Sequence, residues 1–343
     1  MPALATRLGR RTLLTAMGAG AAGLLAACAS GTGAQTATAT ASSAASGLVL
    51  GMTYTPNVQF APFYLALADG EYAAGVSLRH HGEQEGQFDA LLAGTEHLVV
   101  AGGDEAIVAA SNGNELVIIG GYYQRYPGCI IVPEDSDITE LADLAGKTIG
   151  TPGKTGETWY SVLVALSSAG LAEDDVDVQE IGYTQQAALS SGKVEAIAGF
   201  SNNDAVQLAR SGMPVRIIEI GEQVPLLGAS LITTPQVLAD RRAELEAAVA
   251  ASAVGMTKFV DDPDAAVEAT KEYVPDLVDS TQAENAREVA VATGELVRPS
   301  ENTVVGALVP EQVGETIDFL AGRGLLGETT VTSDAVCDPL ITV

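Results

Sequence analysis

From residue 48 onward the chain alternates short apolar runs with segments whose apolar residues recur at helical spacing. Leu48–Thr53 predicts a strand ended by Pro56, and Phe60–Tyr72 a helix that keeps Phe60, Phe63, Tyr64 and Leu67 on one stripe. Gly75 turns the chain into a strand over Val76–His80. A helix over Gly86–Ala93, a strand over His97–Ala101, a helix over Gly103–Asn112 and a strand over Leu116–Gly120 follow. A second series repeats the alternation. Its strands are Gly128–Val132, Lys147–Gly150, Val176–Ile181, Val194–Phe200 and Val215–Ile220; its helices are Ile138–Leu144, Gly156–Gly170, Gln185–Ser191 and Asn203–Ser211. The Gly156–Gly170 helix places Trp159, Val162, Leu163 and Leu166 at i, i+3, i+4 and i+7, and Gly170 stops it. After one more apolar strand, Ala229–Thr233, the pattern is helical through 236–261, 263–274, 280–296 and 310–323.

This alternation with Gly-rich turns is the pattern of a mostly parallel sheet with helices on both faces. Two such series predict an α/β chain of two lobes, each an open mixed sheet flanked by helices. Lobe 1 is expected from 48–127 and 226–343, lobe 2 from 128–225, with crossings near 125–130 and 221–228. The length of 343 residues and the apolar fraction of 47% suit two cores. In open α/β sheets small molecules bind at the strand C-termini, and two facing lobes can close on one by hinge motion.

Composition changes the picture at the N-terminus. Residues 1–27 carry Arg7, Arg10 and Arg11 and no acid, followed by a short apolar stretch from Leu13 to Ala27 interrupted by Gly18, Gly20 and Gly23. This reads as a cleavable signal peptide rather than a membrane span. Leu25-Ala26-Ala27-Cys28 resembles the bacterial lipobox, in which the Cys28 sulfur receives a diacylglycerol. Arg10-Arg11-Thr12-Leu13-Leu14 partly resembles a twin-arginine signal, so the export route stays open. Residues 29–47 are almost all Ala, Ser, Thr and Gly, a flexible tether from the lipid to the first strand. A protein so anchored sits on the extracytoplasmic face of the cell membrane without spanning it. The formal charge of −27 argues against nucleic acid as a partner.

Several segments then carry a family resemblance. Met52-Thr53-Tyr54-Thr55-Pro56-Asn57-Val58-Gln59-Phe60-Ala61-Pro62-Phe63-Tyr64 resembles the opening of ABC transporter substrate-binding proteins of the branch that handles thiamine pyrimidine precursors. Relatives that handle nitrate, sulfonates, taurine and riboflavin begin similarly. Gly70-Glu71-Tyr72 with Ala74-Gly75-Val76, the segment LADLAGKTIGTPG over 141–153, and Ala188–Ala196 resemble later turns of the same proteins. The likeness spans roughly 48–235. It implies a periplasmic-binding-protein-like fold of type II, a small heteroaromatic ligand of hydroxymethylpyrimidine type between the lobes, and an ABC permease with its ATPase as partners. It implies a monomer and no cofactor. A sulfonate, nitrate or riboflavin ligand, a sensing role, and an enzyme of pyrimidine-precursor synthesis are the alternatives. The Cys-rich cluster of the pyrimidine-making relatives has no counterpart, so no catalysis is carried over.

The candidate site has three parts. Asn57 and Gln59 follow the first strand and offer amide donors and acceptors to a heterocycle's edge. Phe60 and Tyr64 either pack on a ring or belong to the core stripe with Phe63. The strand-to-helix loop from Thr151 to Trp159 is not a P-loop, but Gly153 and Thr155 let backbone approach a ligand. Glu157 either accepts from an exocyclic amine or simply favours a helix start, and Trp159 either stacks or anchors the core. Asn202 and Asp204 follow the strand ending at Phe200; Asp204 is better suited to cap its helix than to meet a ligand. Tyr122, Tyr123 and Tyr126 crowd the first crossing, where Tyr126 is the candidate for the cleft floor. Glu222 is a weaker candidate at the second crossing. His80 and His81 are expected at the surface, and no spacing suits a metal. With Cys28 acylated, Cys129 and Cys337 remain as the one pair able to form a disulfide in an oxidising compartment.

Overall fold

The strands of a computed structural model sort into two five-stranded sheets, with orders β2-β1-β3-β10-β4 and β7-β6-β8-β5-β9. The structure describes residues 47–82, 85–221 and 223–343. The expected signal peptide, Cys28, the tether up to residue 46, and Glu222 lie outside the described residues.

The first sheet contains β1 (Val49–Met52), β2 (Ser77–His80), β3 (Leu98–Gly102), β4 (Val117–Gly121) and β10 (Ala229–Thr233). The second contains β5 (Gly128–Pro133), β6 (Thr148–Thr151), β7 (Asp177–Glu180), β8 (Ala196–Phe200) and β9 (Val215–Glu219). The helices α1 (Ala61–Ala68), α2 (Asp89–Leu92) and α3 (Gly103–Ser111) belong to the first series, and α4 (Gly156–Ala169), α5 (Gln185–Ser190) and α6 (Asp204–Arg210) to the second. The C-terminal part adds α7 (Pro235–Asp261), α8 (Pro263–Thr270), α9 (Ser280–Val297), α10 (Pro310–Gly322) and the short α11 (Ser333–Val336).

The sheets are mixed, and the antiparallel strands are the ones that arrive from the other sheet. β1 pairs in parallel with β2 and β3, and β6 with β7 and β8. β10 runs antiparallel to β3 and β4, and β5 antiparallel to β8 and β9. A strand entering from the opposite lobe starts at the cleft edge, where its parallel neighbours end, so its direction is reversed. The segments 122–127 and 220–228 make the two passages. They are tied together, since Tyr122 N and Tyr123 N both donate to the Ala229 carbonyl at 2.9 Å.

Three apolar clusters explain why these elements stay together. One face of the first sheet packs under α1, α7, α8 and α9 through Leu50, Phe63, Tyr64, Val249, Met256 and Phe259. One face of the second sheet packs under α5 and α6 through Ile131, Ile197, Leu189 and Leu208. The third cluster is shared: Ile107 of α3, Ile118 of β4, Ile130 of β5 and Leu163 of α4 belong to one continuous core that joins the lobes. Burying each such aliphatic side chain contributes about 1.5–3 kcal/mol before entropy is counted. At Gly255 a Cβ would lie 2.1 Å from the Pro62 carbonyl, so glycine there lets α7 seat against α1.

The disulfide expected between Cys129 and Cys337 does not form: both thiols are free. Cys129 is fully buried in β5 against the outer core of the second sheet, whereas Cys337 pairs with Ile118 beside the first sheet. The two therefore belong to different lobes, and a bridge needs Cα atoms within about 7 Å. Thiol titration of unfolded, unreduced mature protein should count two free thiols; a count of zero would contradict the placement.

Candidate functional site

The helices that follow β3 and β6, α3 and α4, start against each other. β3 ends at Gly102, and α3 begins with Gly103, Asp104 and Glu105. The start of α3 is fastened to the second passage, since Gly103 N donates to the Gly228 carbonyl at 3.0 Å and Asp104 N to Leu227 at 3.1 Å. α4 begins at Gly156, whose φ of 76° is open to glycine and strained for other residues, and Glu157 lies in its first turn.

Three carboxyl groups thereby meet in the seam between the lobes. Asp104 is fully buried. Its Oδ2 accepts from the Tyr126 hydroxyl at 2.9 Å and its Oδ1 from the Glu105 backbone at 2.7 Å. The Tyr126 oxygen also lies 3.1 Å from the Glu157 carbonyl, so this residue of the first passage touches both lobes. Glu105 Oε2 accepts from Gln87 Nε2 at 2.8 Å. Glu157 Oε1 is enclosed and has no partner. Burial pushes the Asp104 carboxyl well above the usual range, and the Glu105 charge pushes it further. Burial, then the charges of Asp104 and Glu105, does the same to Glu157. Burial also raises Glu105, with Gln87 and the Glu157 N–H pulling the other way. No ion pair between described residues reaches any of the three.

Beside the acids lies an amide and hydroxyl group. Gln59 Nε2 and Asn202 Nδ2 each lie 3.4 Å from the Tyr123 oxygen. Asn202 Nδ2 also donates to Thr293 Oγ1 of α9 at 2.9 Å, while Asn202 Oδ1 is buried without a partner. Burial pushes the Tyr123 phenol up to about 12, and the two amides oppose the shift. Gln87 Oε1 is a third enclosed acceptor with no donor. The seam thus holds three acceptor oxygens that want a hydrogen, on Gln87, Glu157 and Asn202. Buried polar atoms left so are uncommon and call for a ligand or water. Outside the seam the lobes are held by a polar seam of α6 and α9: Arg210 reaches Glu288 at 2.9 Å and Glu284 at 3.4 Å, and Asn285 donates to Gln207 at 3.0 Å.

Of the residues singled out from sequence, Gln59, Tyr126, Glu157 and Asn202 come together here. Asn57 does not join them: its Oδ1 accepts from Gln59 N and its Nδ2 donates to the Thr55 carbonyl, both at 2.9 Å, so its amide is spent on its own turn. Phe60 lies edge-on to His80, and Tyr64 is stacked on Tyr273 at 3.9 Å with its hydroxyl 2.8 Å from His80 Nε2. Both are buried core side chains. Trp159 is 4% exposed within the shared core, and the Lys154 ammonium sits 5.0 Å from its ring centre. Asp204 Oδ2 accepts from Phe200 N at 2.9 Å and braces the turn into α6. Thr155 stands exposed just before α4 without a side-chain cap bond, and Gly153 lies nearest Glu180.

The histidines depart from the surface expectation. His80 is partly buried among aromatic rings, and His81 is 2% exposed with its Nε2 3.0 Å from both Glu96 oxygens. Sequence reasoning missed Gln87, Asp104, Glu105 and Thr293. The signal for two of them was present: Gly102-Gly103-Asp104-Glu105 directly follows an apolar strand at a crevice position. Among the described residues no group of three or more His, Cys, Asp or Glu is arranged to hold a metal, and no helix is long and apolar enough to cross a membrane.

With this geometry in hand, known proteins place the chain. A riboflavin-binding protein, RibY, from Chloroflexus aurantiacus is 32% identical over 234 residues, covering 67% of each chain. The aliphatic sulphonate binding protein SsuA from Escherichia coli has a TM-score of 0.67 at 18% identity, covering 87% of this chain and 94% of that one. The desulfurization enzyme DSZB has a TM-score of 0.56 at 16% identity, covering 84% and 96%. At such identities the two structures establish the periplasmic-binding-protein-like fold alone, which hosts binding and chemistry alike. The model of the family described as NMT1/THI5 like matches residues 57–266. The chain belongs to the NMT1/THI5-like family.

Proposed function

We propose that this chain is the extracytoplasmic, lipid-anchored substrate-binding protein of an ABC importer, and that it captures a small nitrogen heterocycle rich in N–H donors, of hydroxymethylpyrimidine type. The observation that carries the ligand class is the set of enclosed acceptors without donors, Gln87 Oε1, Glu157 Oε1 and Asn202 Oδ1. An amine or ring N–H supplies what these atoms lack, and hydrogen bonds to a charged group are worth about 1.5–3 kcal/mol each. The surrounding Asp104 and Glu105 favour a neutral or cationic ligand in the same way. Family membership and the position of the acids at the strand C-termini between two lobes support capture by closure. The lipidated Cys28 would tether the protein beside a permease and its ATPase, the whole acting as a monomer with residues 48–127 and 226–343 as one lobe and 128–225 as the other.

A riboflavin ligand is the second reading, favoured by the riboflavin-binding relative. Calorimetry with an amine-bearing hydroxymethylpyrimidine and with riboflavin separates the two. The pyrimidine should bind saturably, and Glu157→Gln should weaken it about ten- to a hundredfold, the loss of one charge-assisted bond. Tight riboflavin binding with no pyrimidine heat would favour the second reading; heat from neither would remove the heterocycle class.

The raised carboxyls also set a pH dependence. Asp104 and Glu157, the two pushed furthest above the usual range, hold protons in the folded, ligand-free protein at pH values where the unfolded chain has released them. Their contribution to stability is therefore present below about pH 4, the ordinary carboxylate range, and is lost as pH rises through the raised values. Thermal melts of ligand-free protein between pH 5 and pH 8 should show Tm falling with pH, and Glu157→Gln should flatten that slope. Equal slopes in both chains would show that Glu157 takes up no proton on folding.

A further inference from the structure

α4 is a 14-residue helix, so its first turn presents unpaired backbone N–H groups and the positive end of the helix dipole. An anion is the natural occupant of such a point. Here the occupant comes from the facing lobe of the same chain. A Cβ added at Gly156 would lie 3.0 Å from Glu105 Oε1, so that oxygen stands directly at the first residue of α4. The Glu157 N–H acts on the same carboxyl. Gln87 holds the other oxygen from within the first lobe, at 2.8 Å, and the start of α3 is fixed to Leu227 and Gly228.

We infer that Glu105 sets the charge selectivity of the cleft: its carboxylate fills the anion position at the start of α4, so the cleft admits donor-bearing heterocycles and turns sulfonates and other anions away. The inference rests on the ligand class proposed above. Two further atoms act in the same direction independently of Glu105. Asn202, 1% exposed, carries a buried Oδ1 without a partner, and Glu157 a buried Oε1 without one. A sulfonate entering here would meet the oxygens of Asp104, Glu105, Glu157 and Asn202, and among the described residues no Lys or Arg is ion-paired to the three acids to receive it.

The test is calorimetry of the purified mature protein with two probes, methanesulfonate and an amine-bearing hydroxymethylpyrimidine, on wild type, Glu105→Gln and Glu105→Ala. Circular dichroism verifies that each chain is folded; the amide variant keeps the shape and the Gln87 contact if the alanine variant does not fold. Methanesulfonate should bind wild type too weakly to measure and should gain about tenfold or more in Glu105→Gln, the scale of one charge at a helix start. Folded variants no better than wild type towards methanesulfonate would overturn the role of Glu105, as would tight methanesulfonate binding by wild type. A variant that gains methanesulfonate while neither chain binds the pyrimidine would support Glu105 and sink the heterocycle. The reverse pattern would overturn Glu105 and leave the heterocycle standing.

Discussion

Three carboxyl groups drawn together in the seam, with no ion pair to any of them among the described residues, are the constraint around which this cleft is organised. Removing an ionised carboxylate from water costs several kcal/mol even after relaxation, and neighbouring like charges add to it. The chain meets that cost in particular ways. Tyr126 and the Glu105 backbone serve Asp104, Gln87 and the α4 start serve Glu105, and Glu157 is left with an oxygen that nothing serves. The core shared by α3 and α4 keeps these groups together despite their mutual repulsion. An acid trio fixed by apolar packing on both sides is poised to gain from any donor placed between them.

Much of the architecture was legible in the sequence because strand and helix periods are local. The apolar run before Gly102 and the helical stripe of Trp159, Val162, Leu163 and Leu166 each specify an element without reference to the rest of the chain. Strand direction was less legible. β10 and β5 run antiparallel to their neighbours because of where the chain has just come from, which no local pattern records. The disulfide failed for the same reason: compartment chemistry allows it, but Cys129 and Cys337 belong to different sheets.

The site divides along a similar line. Glu157 and Asn202 stand out in the sequence because a strand-to-helix turn is a recognisable address. Asn57, Phe60 and Tyr64 have the right chemistry at nearly the right address, yet each turns polar atoms or a ring face to neighbours in the core or its own turn. Gln87 and Thr293 were invisible, since each matters only through a partner at least 18 residues away, Glu105 and Asn202 respectively. The shared fold would not have supplied the charge logic either, because a sulphonate-binding protein has it too.

The most direct measurement is a crystal structure of the protein with an amine-bearing hydroxymethylpyrimidine bound. Ligand N–H groups should lie about 2.7–3.2 Å from Glu157 Oε1 and Asn202 Oδ1, between α3 and the start of α4. A ligand seated elsewhere, with those two oxygens contacting only water, would contradict the reading of the seam as the binding site.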